Sequence, residues 1–232
     1  MKPAKPPPKK RGRAAEAVEI SPRIARRERR RERSREEIVD AARRVLARSG
    51  IAATTLEAVA KEVGLTKAAL YYYYPSKDAL LFEIMYSALA AQAHAVHDAV
   101  QEAKSGGEAL RAIVRETVHT FASRLDDFRL TFLQAQVAGA SVVPMRAEQL
   151  AQIHPLNDVA YAGAAKKLSD DWKHGRGRAR VEPRLMAFLA NIAAIGLLTL
   201  KGTVETAGDP LRYTDEELIE GLARIFEAAA AP

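Results

Sequence analysis

Between Thr54 and Lys77 the chain reads TTLEAVAKEVGLTKAALYYYYPSK, a stretch that restricts what the rest of the molecule can be. Thr54 and Glu57 have the Thr-x-x-Glu spacing of a capping box at a helix start. Leu56, Val59, Ala60 and Val63 then recur at helical spacing and predict one buried stripe. Gly64 stands where a left-handed turn carries no steric penalty, and Thr66 is placed to cap a second helix from Lys67 to Tyr73 or Tyr74. Pro75 disfavours helix through the residue before it. Helices of fewer than three turns do not hold their shape alone, so both must pack on a neighbour. The pattern predicts a helix-turn-helix, an arrangement whose second helix enters the DNA major groove.

The composition of that second helix points the same way. With Leu70 as its buried point, Ala68, Ala69, Tyr71 and Tyr72 fall on the sides or the opposite face. Small residues let a helix approach a groove closely. Tyrosine brings a hydroxyl for phosphate oxygens and a ring for sugars or a thymine methyl. The DNA-facing set expected here is Thr55, Thr66, Lys67, Ala68, Tyr71, Tyr72, Tyr73 and Lys77. Tyr71 and Lys77 are expected to hold phosphates, and Lys67 and Tyr72 to reach base edges.

From about Glu36 to Leu81 the chain resembles the DNA-binding domain of the TetR family of transcriptional repressors. The likeness rests on the lead-in EEIVDAARRVLARSGIAATT, on Gly64-Leu65-Thr66, on Leu70-Tyr71 and on Pro75-Ser76-Lys77. Two positions depart from the pattern: Ala69 stands where many members carry Thr or Ser, and Glu57 where many carry Arg. Each removes a DNA contact. The resemblance implies a homodimer formed through the last two helices, a palindromic operator, and release from DNA by a small molecule held among the helices of residues 85–200.

No cysteine is present, which excludes disulfides and thiolate chemistry. No run approaches 18 uninterrupted apolar residues and no hydrophobic signal region follows Met1, so no membrane partner and a cytoplasmic location are expected. Nothing alternates with period two, and the fold class predicted is all-α, with no cofactor. Net charge is +7, but residues 1–33 hold thirteen Lys and Arg against four Glu. The remaining 199 residues hold 23 basic and 25 acidic side chains, so the basic excess lies wholly in the N-terminal arm. Its proline-rich start cannot bury enough apolar surface to fold. Lys9-Lys10-Arg11-Gly12-Arg13 partly resembles the core of an AT-hook, which makes Lys10, Arg11 and Arg13 candidate minor-groove contacts. Ser21-Pro22 is a helix entry; either the first helix begins there and runs to about Arg48, or a short separate helix precedes it.

The organisation expected is an arm at 1–33, a DNA-binding domain at 34–81 and an effector-binding and dimerisation domain at 82–232. Ser76 and Asp78 start a helix that continues to about Ala103, where Ser105-Gly106-Gly107 ends it, and that helix links the two domains. Leu110 to Phe121 form the next helix, and a short one ends near Gly139. Pro155 is expected to kink or divide a helix over 144–173. Residues Pro183 to Val204 are apolar on all sides, and Thr214 caps the last helix. Polar residues among the apolar runs, His119, Gln136, Trp172 and Asn191, are candidates for an effector pocket. His94 and His97 have helical spacing but no third ligand, so no metal site is predicted. With no phosphate loop and no nucleophile motif, an enzyme is not expected. The alternative to a ligand-relieved repressor is an architectural DNA-binding protein that uses the arm and has no effector.

Overall fold

The computed structural model describes residues 22–133, 145–174, 181–207 and 213–230, and every regular element among them is helical. The order is α1 (Pro22–Ala53), α2 (Leu56–Val63), α3 (Lys67–Tyr73), α4 (Lys77–Glu102), α5 (Gly106–Ala122) and α6 (Leu125–Phe128). A π-helical turn (Arg129–Leu133) continues α6, and α7 (Ala147–Lys173), α8 (Pro183–Ala207) and α9 (Asp215–Ala230) complete the set. The chain divides into two units, Met1–Glu37 and Ile38–Pro232. In the first, α1 starts at Pro22, the earlier of the two starts the sequence allowed, and every arginine from Arg23 to Arg33 is exposed. Lys10, Arg11 and Arg13 lie outside the described residues.

The second unit holds two apolar cores. One gathers Ile38, Ala42 and Val45 of α1, Leu56 and Val59 of α2, Leu70 of α3, and Leu80, Leu81 and Ile84 at the start of α4. Helix α1 loses helical geometry at Gly50 (φ 73°, ψ 173°), a conformation that suits glycine, two residues past the end the sequence predicted. The other core begins on α4 at Ala88 and centres on α5, which packs against α4, α7, α8 and α9. The predicted α5 stripe of Leu110, Ile113, Val114, Thr117, Val118 and Phe121 is buried throughout. Helix α4 enters both cores and so passes through the domain boundary expected at residue 81.

Three local expectations need correction. Ser105-Gly106-Gly107 opens α5 rather than closing α4: Ser105 Oγ accepts from the Glu108 amide, and α4 has already ended at Glu102. Gly106 is required there by packing, because a Cβ on it would lie 2.6 Å from Leu168 Cδ2. Helix α7 runs unbroken through Pro155. Proline removes the bond to the Ala151 carbonyl, but Ala151 and Pro155 are both exposed, so water can satisfy that carbonyl. The N-cap of α2 is Thr55, not Thr54: its hydroxyl accepts from the Ala58 amide at 3.1 Å. Thr54 is instead buried and donates to the Gly50 carbonyl at 2.8 Å, tying the end of α1 to the turn.

By length and composition α4 and residues 183–204 of α8 could cross a membrane; half of the apolar window of α4, but a third of that of α8, is buried within the chain. The difference lies on one face of α8. Leu185, Phe188, Leu189, Ile192 and Leu200 are each at least 40% exposed, spaced to fall along a single stripe. The apolar character that the sequence shows all round α8 is thus buried on part of the helix and exposed along one face of the single chain.

Candidate nucleic-acid interface

Helix α2 ends as its sequence requires. Gly64 is left-handed (φ 73°, ψ 28°), the Leu65 amide donates to Ala60 O at 2.9 Å, and the Gly64 amide donates to Lys61 O at 3.4 Å. These two bonds form a Schellman motif, which satisfies the last carbonyls of α2 and fixes the angle at which the chain leaves. Thr66 then caps α3 through the Ala69 amide at 3.1 Å. Leu70 is fully buried in the head core and anchors α3, and Tyr74, the residue after the helix, is buried beside it.

The outer face of α3 presents Lys67, Ala68, Tyr71 and Tyr72, with Thr66 and Thr55 exposed at the starts of α3 and α2. Tyr71 is 45% and Tyr72 63% exposed, large aromatic areas for a helix of seven residues. Tyr73 departs from the expected set. It lies 300° round from Leu70 at 100° per residue, which turns it back toward the core. It is half-buried against that core, and its ring meets Tyr72 edge-on at 5.3 Å.

The cations of this face are largely engaged. Lys67 Nζ is ion-paired with Glu57 Oε1 of α2 and sits 5.9 Å from the centroid of the Tyr71 ring. The hydrogen bond that Lys67 donates to Glu57 raises the lysine pKa above its ordinary value. Arg44 and Arg48 of α1 both bond Glu62 at 3.0 Å, and together they hold the Glu62 carboxyl below the usual range. Lys77 donates to the carbonyls of Ile51 (2.5 Å) and Ala52 (3.1 Å). Two of its three N–H groups therefore close the end of α1, where backbone carbonyls concentrate negative charge. Lys61 is exposed and makes no ion pair among the described residues.

A second cluster joins the head to the body. Arg43 of α1 donates to Asp127 of α6 at 2.9 Å, to Ser87 of α4 at 2.7 Å and to Asp40 at 3.1 Å. Asp127 is 3% exposed. Burial raises its pKa and the nearby Arg43 opposes the rise, with burial the larger influence. The sequence reading missed this pair because its partners are 84 residues apart.

The three pocket candidates among the described residues are not brought together. His119 is exposed on α5, the side opposite the buried stripe, and so does not line an interior pocket. Gln136 lies outside the described residues. Trp172 is half-buried against the body core. Asn191 is 6% exposed and hydrogen-bonded to Gln92 of α4 and Thr117 of α5. Gln92 was legible by the criterion that picked Asn191, a lone amide inside an apolar helix. His97 places Nδ1 3.2 Å from the Val159 carbonyl, half-buried, whereas His94 is exposed. Among the described residues no three His, Asp or Glu side chains cluster as metal ligands would.

Residues 38–84 match the family model described as bacterial regulatory proteins, tetR family. No functionally curated protein matches the chain in sequence. Among solved structures the chain is similar to a transcriptional regulator of the TetR/AcrR family from Thermobifida fusca YX-ER1, at 22% identity and a TM-score of 0.66, over 84% of this chain and 96% of that one. It is similar to FadR from Bacillus subtilis in complex with stearoyl-CoA, at 15% identity and a TM-score of 0.65, over 84% and 98%. It is also similar to AibR in complex with isovaleryl coenzyme A and operator DNA, at 21% identity and a TM-score of 0.61, over 82% and 96%.

Proposed function

We propose that this chain, which belongs through residues 38–84 to the tetR family of bacterial regulatory proteins, is a homodimeric repressor that leaves a palindromic operator when a small molecule binds its helical body. The observation that carries the DNA-binding part is the outer face of α3, where Lys67, Ala68, Tyr71 and Tyr72 stand exposed between two threonine-capped helix starts. Nothing in the described core needs those two rings outside. A groove floor and its phosphates would cover them.

The reading assigns Tyr71 and Thr55 to phosphates and Lys67 and Tyr72 to base edges, with Lys67 exchanging Glu57 for a guanine. Lys77 acts first as the clamp on α1 and only secondarily at a phosphate. The half-buried Tyr73 supports Tyr72 instead of meeting DNA. Few free cations remain on this face, so the arginines of the arm supply much of the sequence-independent affinity, a term that falls with salt.

The exposed stripe of α8 supports dimerisation. Leu185, Phe188, Leu189, Ile192 and Leu200 lie along it, Ile225 of α9 is 64% exposed, and open space surrounds Gly196 and Gly221. A second copy would cover these apolar side chains, and the two glycines allow close approach of its helices. Two recognition helices related by two-fold symmetry then meet successive major grooves. Stearoyl-CoA and isovaleryl coenzyme A accompany the FadR and AibR structures, so molecules built on an acyl chain are the first effectors to try.

Selection of bound sequences from a random DNA pool tests the central reading, and a two-fold symmetric motif is expected. Failure to enrich any motif, together with equal affinity for random DNA at raised salt, would favour the architectural alternative. The arginine-rich arm is the observation that keeps that alternative in view.

A further inference from the structure

Three uncharged polar side chains meet inside the body core, one from each of α4, α5 and α8. Gln92 and Asn191 are each 6% exposed and Thr117 is fully buried. Gln92 Nε2 donates to Thr117 Oγ1 at 2.9 Å and to Asn191 Oδ1 at 3.2 Å, and the Thr117 hydroxyl donates to Asn191 Oδ1 at 3.2 Å. Both N–H groups of Gln92 and both lone pairs of Asn191 Oδ1 are therefore used.

The other half of each amide is not. Gln92 Oε1 and Asn191 Nδ2 make no hydrogen bond among the described residues. Neither is walled in by protein, so each opens onto space that a water-sized molecule can reach. Reversing both amides yields the same network with roles exchanged, and again leaves one carbonyl oxygen and one NH2 group. The surroundings are apolar. One turn away on the same helices stand Ala88 and Val96, Ile113 and Phe121, and Ala187 and Ile195. An amide group in apolar surroundings is costly unless it finds a partner, so each of these two calls for a water or a ligand, and three helices converge here to hold them in place.

We infer that Gln92 and Asn191 form the polar end of the effector site, and that they select an apolar molecule carrying one uncharged carbonyl with an adjacent N–H or O–H. The Asn191 NH2 donates to the carbonyl, and Gln92 Oε1 accepts from the adjacent donor. An ionised carboxylate is disfavoured, since it offers no donor to Gln92 and the triad contains no cation to offset its burial. Thr117 is a positioning residue that fixes the orientation of both amides. The inference rests on the effector reading above only for the consequence of binding; the site itself is tested without DNA.

The experiment is calorimetric titration of the full chain with octanamide, N,N-dimethyloctanamide and octanoate. The same titrations follow on Asn191→Leu and Gln92→Met, with helical content checked by circular dichroism. Octanamide should bind the native chain about tenfold tighter than the other two, the equivalent of one well-placed hydrogen bond. Both substitutions should reduce octanamide to the level of the dimethyl amide. Equal or absent binding of all three by the native chain overturns the inference, as does a preference for octanamide that survives both substitutions. Should a variant fail to fold, the ranking of the three compounds on the native chain still decides. A gel shift on selected DNA separates the two readings: octanamide binding that leaves DNA affinity unchanged keeps the site and removes its regulatory role.

Discussion

Helices α3 and α8 each expose more than one large apolar side chain, and they differ in what lies around them. On α3, Tyr71 and Tyr72 are set among threonine caps, Lys67 and the carboxylate of Glu57. On α8, Leu185, Phe188, Leu189, Ile192 and Leu200 are spaced along one face with alanines and Gly196 between them. The first surface can satisfy a polar, charged partner while covering aromatic rings. The second can satisfy only another apolar surface. Exposure alone does not name a partner; the hydrogen-bonding groups that rim it do.

The largest effect expected from breaking this contrast is on α8. Ile192→Glu places a charge on the stripe, and sedimentation should then show a monomer. Operator affinity should fall about 100-fold or more, because the second half-site no longer binds intramolecularly. Removing residues 1–33 comes next. Affinity for all DNA should drop, and the plot of log K against log salt should flatten by several units, since each released counterion contributes about 0.9 to the slope. An unchanged slope would leave the arm without a role on DNA.

On α3 the effects are smaller and more specific. Tyr71→Ala should weaken every sequence alike, whereas Lys67→Ala should relax preference at one base position by about 1–3 kcal/mol, read by competition between sites. Glu57→Gln sharpens the comparison most finely. It removes the partner that engages Lys67, so binding to random DNA should rise a few-fold and the salt slope should steepen by about 1. A fall in affinity would mean that Glu57 positions Lys67 for DNA rather than competing with it.

Much of the head was legible because its determinants are local. Gly64, Thr66, Leu70 and Pro75 act within one turn of themselves, and each sits as its chemistry requires. Most of what was missed depends on a neighbour outside the turn itself. Thr54 and Thr55 are equally good caps in sequence, and the choice between them depends on Gly50, whose carbonyl takes the Thr54 hydroxyl. The bonds of Lys77 to the carbonyls of Ile51 and Ala52 span 26 and 25 residues and are not readable from local spacing. Tyr73 was read as one of a run of tyrosines, although helical geometry already separates it from Tyr71 and Tyr72. Around Asn191 the sequence marks each lone amide singly but not their pairing, because residues 92 and 191 meet only through the packing of α4 and α8.

Lys77 begins α4 and Gln92 lies fifteen residues along it, about 22 Å at the rise of an α-helix. A tilt of about 5° pivoting at Gln92 would carry the first turn of α4 through roughly 2 Å over that length. The Lys77 bond to the Ala52 carbonyl is 3.1 Å long, and hydrogen bonds weaken steeply beyond their usual range. Such a clamp would follow small rotations of α4, carrying the end of α1 with it, and would part under larger ones.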